Sequence, residues 1–351
     1  MTTRRIQFGL DTFGDVTRTP DNKPLPFDQV IRNIVAEGEL ADRVGVDVFG
    51  VGEHHRDDYA VSAPDIVLTA IAARTTDIRL TTSVIVLSSD DPVRVFERFS
   101  TLQAISDGRA EMTLGRGSFI ESFPLFGYDL QDYEVLFEEK LDLMRTILDA
   151  DRAGGPVTWS GTTRAGLDGH RLFPPTSKPL SAWVAVGGSP ESVVRAARHR
   201  MPLMLAIIGG AARRFRPFVD LYKRANDELG QPQPPIGIHS PGLIAETDEQ
   251  AQERLYFHWM AMQRRIGAER GWPAPTKDQF TREINHGSLY VGSPDTIAAK
   301  IADTVTALDL DRFTLKYSNG PVPHEHAMDT IRLYGEEVIP RVRRILAGRQ
   351  G

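Results

Sequence analysis

Eight short runs dominated by apolar and β-branched residues recur along the chain. They are RIQFGLDT at 5–12, DVFGVG at 47–52, IRLTTSVIVL at 78–87, AEMTLG at 110–115, AWVAVG at 182–187, LMLAII at 203–208, IGIHSPGLI at 236–244 and RFTLKY at 312–317. Several are nearly continuous in their apolar character, which suits parallel strands covered on the outside by helices. Between them the apolar positions fall at helical spacing, at about 27–44, 63–76, 92–106, 132–152, 190–200, 210–229, 294–309 and 325–347. Pro64, Pro92, Pro190 and Pro294 stand where a first helical turn tolerates a missing N–H, and Ser189 and Ser293 precede two of these turns as expected N-caps.

Eight β–α alternations predict an α/β fold, a closed (β/α)8 TIM barrel in one domain spanning 1–351, with an open doubly wound sheet as the alternative. Two stretches are too long for ordinary connections. Residues 153–180, after strand 4 and its helix, are rich in Gly and Pro and predict an inserted β-hairpin. Residues 245–293, between strands 7 and 8, carry a helical pattern over 247–270 and then a polar stretch, and are expected to cover the active site or move over it.

Composition narrows the chemistry. The 351 residues are 41% hydrophobic and 25% charged, with a net charge of −6 and no cysteine. Thiolate catalysis, disulfides and cysteine-ligated zinc or iron–sulfur sites are therefore excluded. No basic stripe points to nucleic acid or an anionic membrane. Neither a signal-peptide pattern nor an 18-residue apolar run is found, so a cytoplasmic location is expected.

In barrels the site is built from the loops at the C-terminal strand ends. After strand 2 stands Glu53-His54-His55-Arg56-Asp57-Asp58. Neighbouring residues in an extended chain face opposite sides, so one histidine is expected at the mouth, as a general base or hydrogen-bonding group. A zinc site and a plain solvated loop are the competing readings, and the HExxH spacing is absent. Within strand 3, Thr81-Thr82-Ser83-Val84 places small side chains where a flat ligand can approach the backbone. After strand 4, Gly115-Arg116-Gly117-Ser118 offers a permanent cation between flexible glycines, suited to an anionic ring or a carboxylate.

After strand 5, Gly187-Gly188-Ser189 leads into a helix, and after strand 6 Gly209-Gly210 leads into another. Two neighbouring helix N-termini are expected to clamp one phosphate. Neither a P-loop nor a GxGxxG pattern is present, which argues against ATP and against a conventional dinucleotide site. His239 in strand 7 is positioned to point inward, His324 or His326 to close the pocket, and Phe13 and Phe119 to line it.

The Glu-His-His run, the DPVR segment at 91–94, the SDGR turn at 106–109, the GRG end at 115–117 and GGSPES at 187–192 together resemble the bacterial luciferase-like flavin monooxygenase family, over nearly the whole chain. The resemblance implies reduced FMN, supplied by a partner flavin reductase, activating O2 against a small organic substrate. By position, His54 looks like the histidine serving the flavin's oxygen chemistry. Ser83-Val84 matches the place of a non-prolyl cis peptide beneath the flavin ring, and Arg116 looks like the residue facing the pyrimidine side. Gly187, Gly188 and Ser189, with Gly209 and Gly210, match the phosphate site. This chain departs from luciferase there by offering glycines in place of side-chain donors. The resemblance also implies a homodimer, with helices near 63–106 at the interface. Hydride transfer with deazaflavin F420, flavin binding without turnover, and a metal-dependent barrel hydrolase are the competing functions; the first two share the fold, and no metal ligand set is expected.

Overall fold

The computed structural model describes residues 5–349 apart from Pro20, Asn22 and Ser118. All eight expected strands form: β1 (Gln7–Thr12), β2 (Val48–Val51), β3 in two pieces (Arg79–Thr82 and Ile85–Val86), β4 (Glu111–Gly115), β5 (Ser181–Val186), β6 (Leu203–Ala206), β7 (Ile236–Ile244) and β8 (Arg312–Lys316). Each is parallel to its neighbour, in the order β1-β2-β3-β4-β5-β6-β7-β8, and β8 returns to β1 with Phe8 opposite Phe313. The first piece of β3 pairs with β2 and the second with β4. A parallel bridge between Leu80 and Ala110 closes the remaining gap. The barrel is closed.

The interruption in β3 falls at a cis peptide bond between Ser83 and Val84, at the position the family resemblance indicates. Side chains repair the ladder there. The Thr82 hydroxyl donates to the carbonyl of Thr113 (2.9 Å) and accepts from its N–H (3.0 Å), while Thr81 and Thr113 hydroxyls meet at 3.1 Å. The threonines expected to make room for a ligand thus also hold β3 to β4.

Helices follow the strands as the spacing predicts. Asp91, Ser189 and Ser293 cap three of them, each accepting from an N–H in the first turn, and the proline comes next in each case. Two expectations shift. The helix predicted over 210–229 begins only at Arg216, after a 3-10 turn at Ala212–Phe215, because Pro217 resets the first helical turn. The last predicted helix is two, His324–Leu333 and Ile339–Gly348, joined by a wider π turn at Tyr334–Val338 just before Pro340.

The 153–180 segment contains the expected hairpin, Val157–Trp159 against Leu167–His170. The 245–293 segment is more ordered than its polarity suggests. It holds a long helix (Asp248–Arg270), a second helix (Lys277–His286) and a short strand (Tyr290–Gly292) that pairs with the end of β7. Leu255, Trp259, Phe280 and Val291 give it a small apolar core of its own.

No helix among the described residues is long and apolar enough to cross a membrane.

Candidate active site

Every second residue of the strands turns inward, and the C-terminal ends of these inward rows line a cavity of about 380 Å³. Asp11 and Phe13 come from β1, Thr81 and Ser83 from β3, Thr113 and Gly115 from β4, Met204 and Ala206 from β6, His239 from β7, and Arg312 and Thr314 from β8. The deepest layer is charged. Arg312 is paired with Glu111, both fully buried, and Arg79 adds a second cation at 3.2 Å. Burial works to raise the Glu111 carboxyl, but the two guanidinium groups outweigh it and hold it below the usual carboxylate range.

One layer up, Asp11 Oδ2 accepts from the Ser83 hydroxyl (2.8 Å) and meets His239 Nδ1 at 2.5 Å. The other oxygen, Oδ1, is buried without a partner. His239 therefore points inward, as its place in β7 suggests, and its ring lies parallel to Phe13 with centroids 5.5 Å apart.

The Glu-His-His run forms one wall. Both histidines line the cavity, where alternation alone predicts one. They are held differently. His55 is tied to Glu53 (2.9 Å), whose second oxygen accepts from the Val86 N–H (2.9 Å), and so braces the piece of β3 beyond the cis bond. The His54 ring sits among Phe13, Tyr59 and Phe119. Burial, with help from the nearby cations Lys316 and Arg56, pushes its pKa down to about 3. His54 is neutral at physiological pH, and its Nδ1 is a buried polar atom with no partner. His54 is therefore not a histidine that titrates near neutrality.

The end of β4 forms a neighbouring wall. A Cβ at Gly115 would lie 2.5 Å from Val84 Cγ2, so only glycine lets the chain pass the cis bond this closely. Arg116 lines the cavity beside Tyr133, 5.2 Å from its ring, and is ion-paired with Glu134. Glu134 in turn meets Arg195 at 3.0 Å.

Of the expected phosphate residues, Gly187 lines the cavity. Gly188 has φ +112°, and Ser189 caps the next helix, accepting from Ser192 N–H and donating to its hydroxyl (2.9 Å). Gly209 and Gly210 are not brought to the cavity. The Gly210 N–H is directed to the Glu283 carboxylate (3.2 Å), which also accepts from the Ser288 N–H. No helix starts at these glycines, and their backbone serves the insertion. Ile208, just before them, does reach the cavity. Ser118 lies outside the described residues. His324 is bound to Glu37 (2.8 Å), and neither it nor His326 lines the cavity.

The mouth is roofed by an ion cluster. The half-buried Arg56 meets Asp58, Glu121 and Glu269, and its guanidinium lies 4.2 Å from the Phe119 ring centroid. Glu269 belongs to the long helix of the 245–293 insertion, as does Arg265, which pairs with Asp57 and Asp58. Among the described residues, no group of three or more His, Asp or Glu side chains is placed to hold a metal ion.

Residues 6–311 match the model of the luciferase-like monooxygenase family, and the chain belongs to that family. It is similar to limonene 1,2-monooxygenase of Rhodococcus erythropolis, 30% identical over 75% of this chain and 69% of the other. Among solved structures it resembles a monooxygenase from Streptomyces bottropensis (TM-score 0.81, 24% identity, 95% and 99% coverage). It also resembles the oxygenating constituent of 3,6-diketocamphane monooxygenase from Pseudomonas putida, solved with FMN (0.78, 18%, 96% and 99%). An F420-dependent secondary alcohol dehydrogenase shares the fold as well (0.72, 18%, 97% and 99%). Like its named relatives, the chain is an oxidoreductase of the luciferase-like type.

Proposed function

We propose that this protein is an FMN-dependent monooxygenase, taking reduced FMN from a flavin reductase and using O2 to oxidise a small organic substrate. The observation that carries this reading is the meeting of His54, the Ser83–Val84 bond and Arg116, from three separate strand ends, around one cavity. The residues suit a flavin. The buried Nδ1 of His54, without a partner among the described residues, is available to hydrogen-bond a ligand. Gly115, lacking a side chain, lets Val84 pack close beside the cis bond in the cavity wall. Bound in its reduced form, the flavin would supply the two electrons with which O2 is split, one oxygen atom going to substrate and one to water.

The chain's own contribution is placement. Arg116 would pair with the flavin's electron-rich edge, exchanging Glu134 for it. Gly187, Gly188 and the Ser189-capped helix start would hold the phosphate, without Gly209 and Gly210. His54, fixed as the neutral imidazole, would hydrogen-bond through Nδ1 without delivering a charge. Anaerobic mixing of protein with reduced FMN tests the reading: saturable binding that weakens in Arg116→Ala supports it.

F420 chemistry is the second reading, favoured by the fold shared with an F420-dependent dehydrogenase. Parallel titration with reduced FMN and reduced F420 separates the two. The reading also carries a homodimer, in which Ile66 and Ile105, exposed on helices Pro64–Ala72 and Pro92–Ile105, would be covered by a second copy. Sedimentation equilibrium reads this directly.

A further inference from the structure

We propose that Asp11 and His239 form a proton-accepting dyad for an aromatic substrate bearing an ionisable hydroxyl, a phenol. The inference rests on the reading of the cavity as the place where substrate is oxidised, and it names the class of that substrate.

The geometry fixes the histidine's tautomer. A carboxylate oxygen 2.5 Å from Nδ1 can only accept, so the ring proton sits on Nδ1 and the lone pair is left on Nε2. Nε2 has no hydrogen-bond partner among the described residues, and the ring lines the cavity. Ser83 donates to the same Asp11 oxygen and holds the carboxylate in place.

Charge makes the dyad a base. Three of the buried carboxylates stand on β4, just after β1 and on β1. Glu111 has Arg312 and Arg79, and Asp15 has Lys316 (3.3 Å). Asp11 has no arginine or lysine partner among the described residues, and its Oδ1 is buried with nothing to accept from. The groups facing His239 from the neighbouring elements do not make up the deficit. Phe13 stacks on it, and beyond that ring His54 is neutral; on β8, Lys316 is already paired with Asp15 and Arg312 with Glu111. Ala206 and Thr314, its register partners on β6 and β8, are uncharged. A proton arriving on Nε2 completes an ion pair where an isolated buried carboxylate stood.

The donor must be an acid that imidazole can deprotonate. An aliphatic hydroxyl is far too weak, whereas phenols ionise at about 10 or below. The cavity offers such a ring flat or edge-on contact with Phe13 and Phe119. In the step, the phenol O–H bond breaks, its electron pair stays on oxygen, and the proton passes to Nε2. No oxidant is consumed. The resulting phenolate is an electron-rich ring, prepared to receive an oxygen atom. His239 is the catalytic residue of the pair and Asp11 positions it.

The test uses 4-nitrophenol, whose anion is yellow and whose neutral form is not. It is titrated into the full-length protein about one unit below the pH at which the free probe ionises. Wild-type protein is expected to turn the probe yellow saturably, with the colour lost on further acidification by uptake of one proton. His239→Gln and Asp11→Asn are expected to bind it with the colour at least tenfold weaker. Colourless binding or no binding by the wild type, or undiminished colour in His239→Gln, overturns the proposal. The wild-type acidification holds as a test even where a variant fails to fold. Reduced FMN affinity, measured separately, distinguishes failure of the dyad from failure of the flavin reading: a protein that binds FMN yet leaves the probe neutral loses only the dyad.

Discussion

The imidazole of His54 stacks on the ring of Tyr59 with centroids 4.2 Å apart and planes inclined by 24°. Burial among such rings, with the charges of Lys316 and Arg56 nearby, lowers its pKa to about 3 against the ordinary 6.5. An unfolded chain takes up the proton below about pH 6.5 and the native protein does not, so the native state loses stability as pH falls from there towards 3, by about 1.4 kcal/mol per unit. His54→Gln should remove this component. Urea midpoints at pH 7 and pH 5 should therefore lie closer together in the variant than in the wild type.

Arg116 meets Glu134 in a half-exposed ion pair beside the cavity. Truncation to alanine should leave the fold intact and weaken reduced FMN by about 1–3 kcal/mol, the range for a charged hydrogen bond. Glu134→Gln should do the opposite, because the guanidinium then has no competing anion. Ultrafiltration of protein with reduced FMN under anaerobic conditions measures both.

Gly115→Ala would place a methyl group 2.5 Å from Val84 Cγ2, inside the contact that passes the cis bond. Overpacking of this kind costs about 1–3 kcal/mol. Gly187, whose Cβ direction is open for 4 Å, is the contrasting case, and Gly187→Ala should change stability by less than about 0.5 kcal/mol. Denaturant unfolding of the two variants side by side checks the difference.

Beneath the cavity, Arg312→Met should cost about 3–5 kcal/mol, since it leaves Glu111 buried with only the more distant Arg79. In the wild type the Glu111 carboxyl is held below its ordinary value. The stability this provides is present above about pH 4.5 and is lost as pH falls further. The variant's stability should depend less on pH in that acidic window.

The barrel was legible because eight strands and the helices between them each carry their own period, and four of the helices a proline start signal as well. The walls were legible for the same reason: His54, Ser83–Val84 and Arg116 sit at strand ends, where chain order dictates position. What chain order does not show is pairing across the barrel. Asp11 and His239 are 228 residues apart, and their meeting follows from closure. The signal was present in outline, as a lone carboxylate inside the apolar run of β1. Gly209 and Gly210 show the opposite failure. Their glycines do make a turn, but a carboxylate 73 residues away takes the amide that a phosphate was expected to use. Nothing local marks Glu283 for that role.

The proposed function requires that one cavity hold one flavin. Anaerobic equilibrium binding of reduced FMN, with reduced F420 as competitor, tests this most directly. One FMN per chain, bound more weakly in Arg116→Ala and not displaced by F420, is the predicted result. Saturable binding of F420 alone, or of neither, would contradict it.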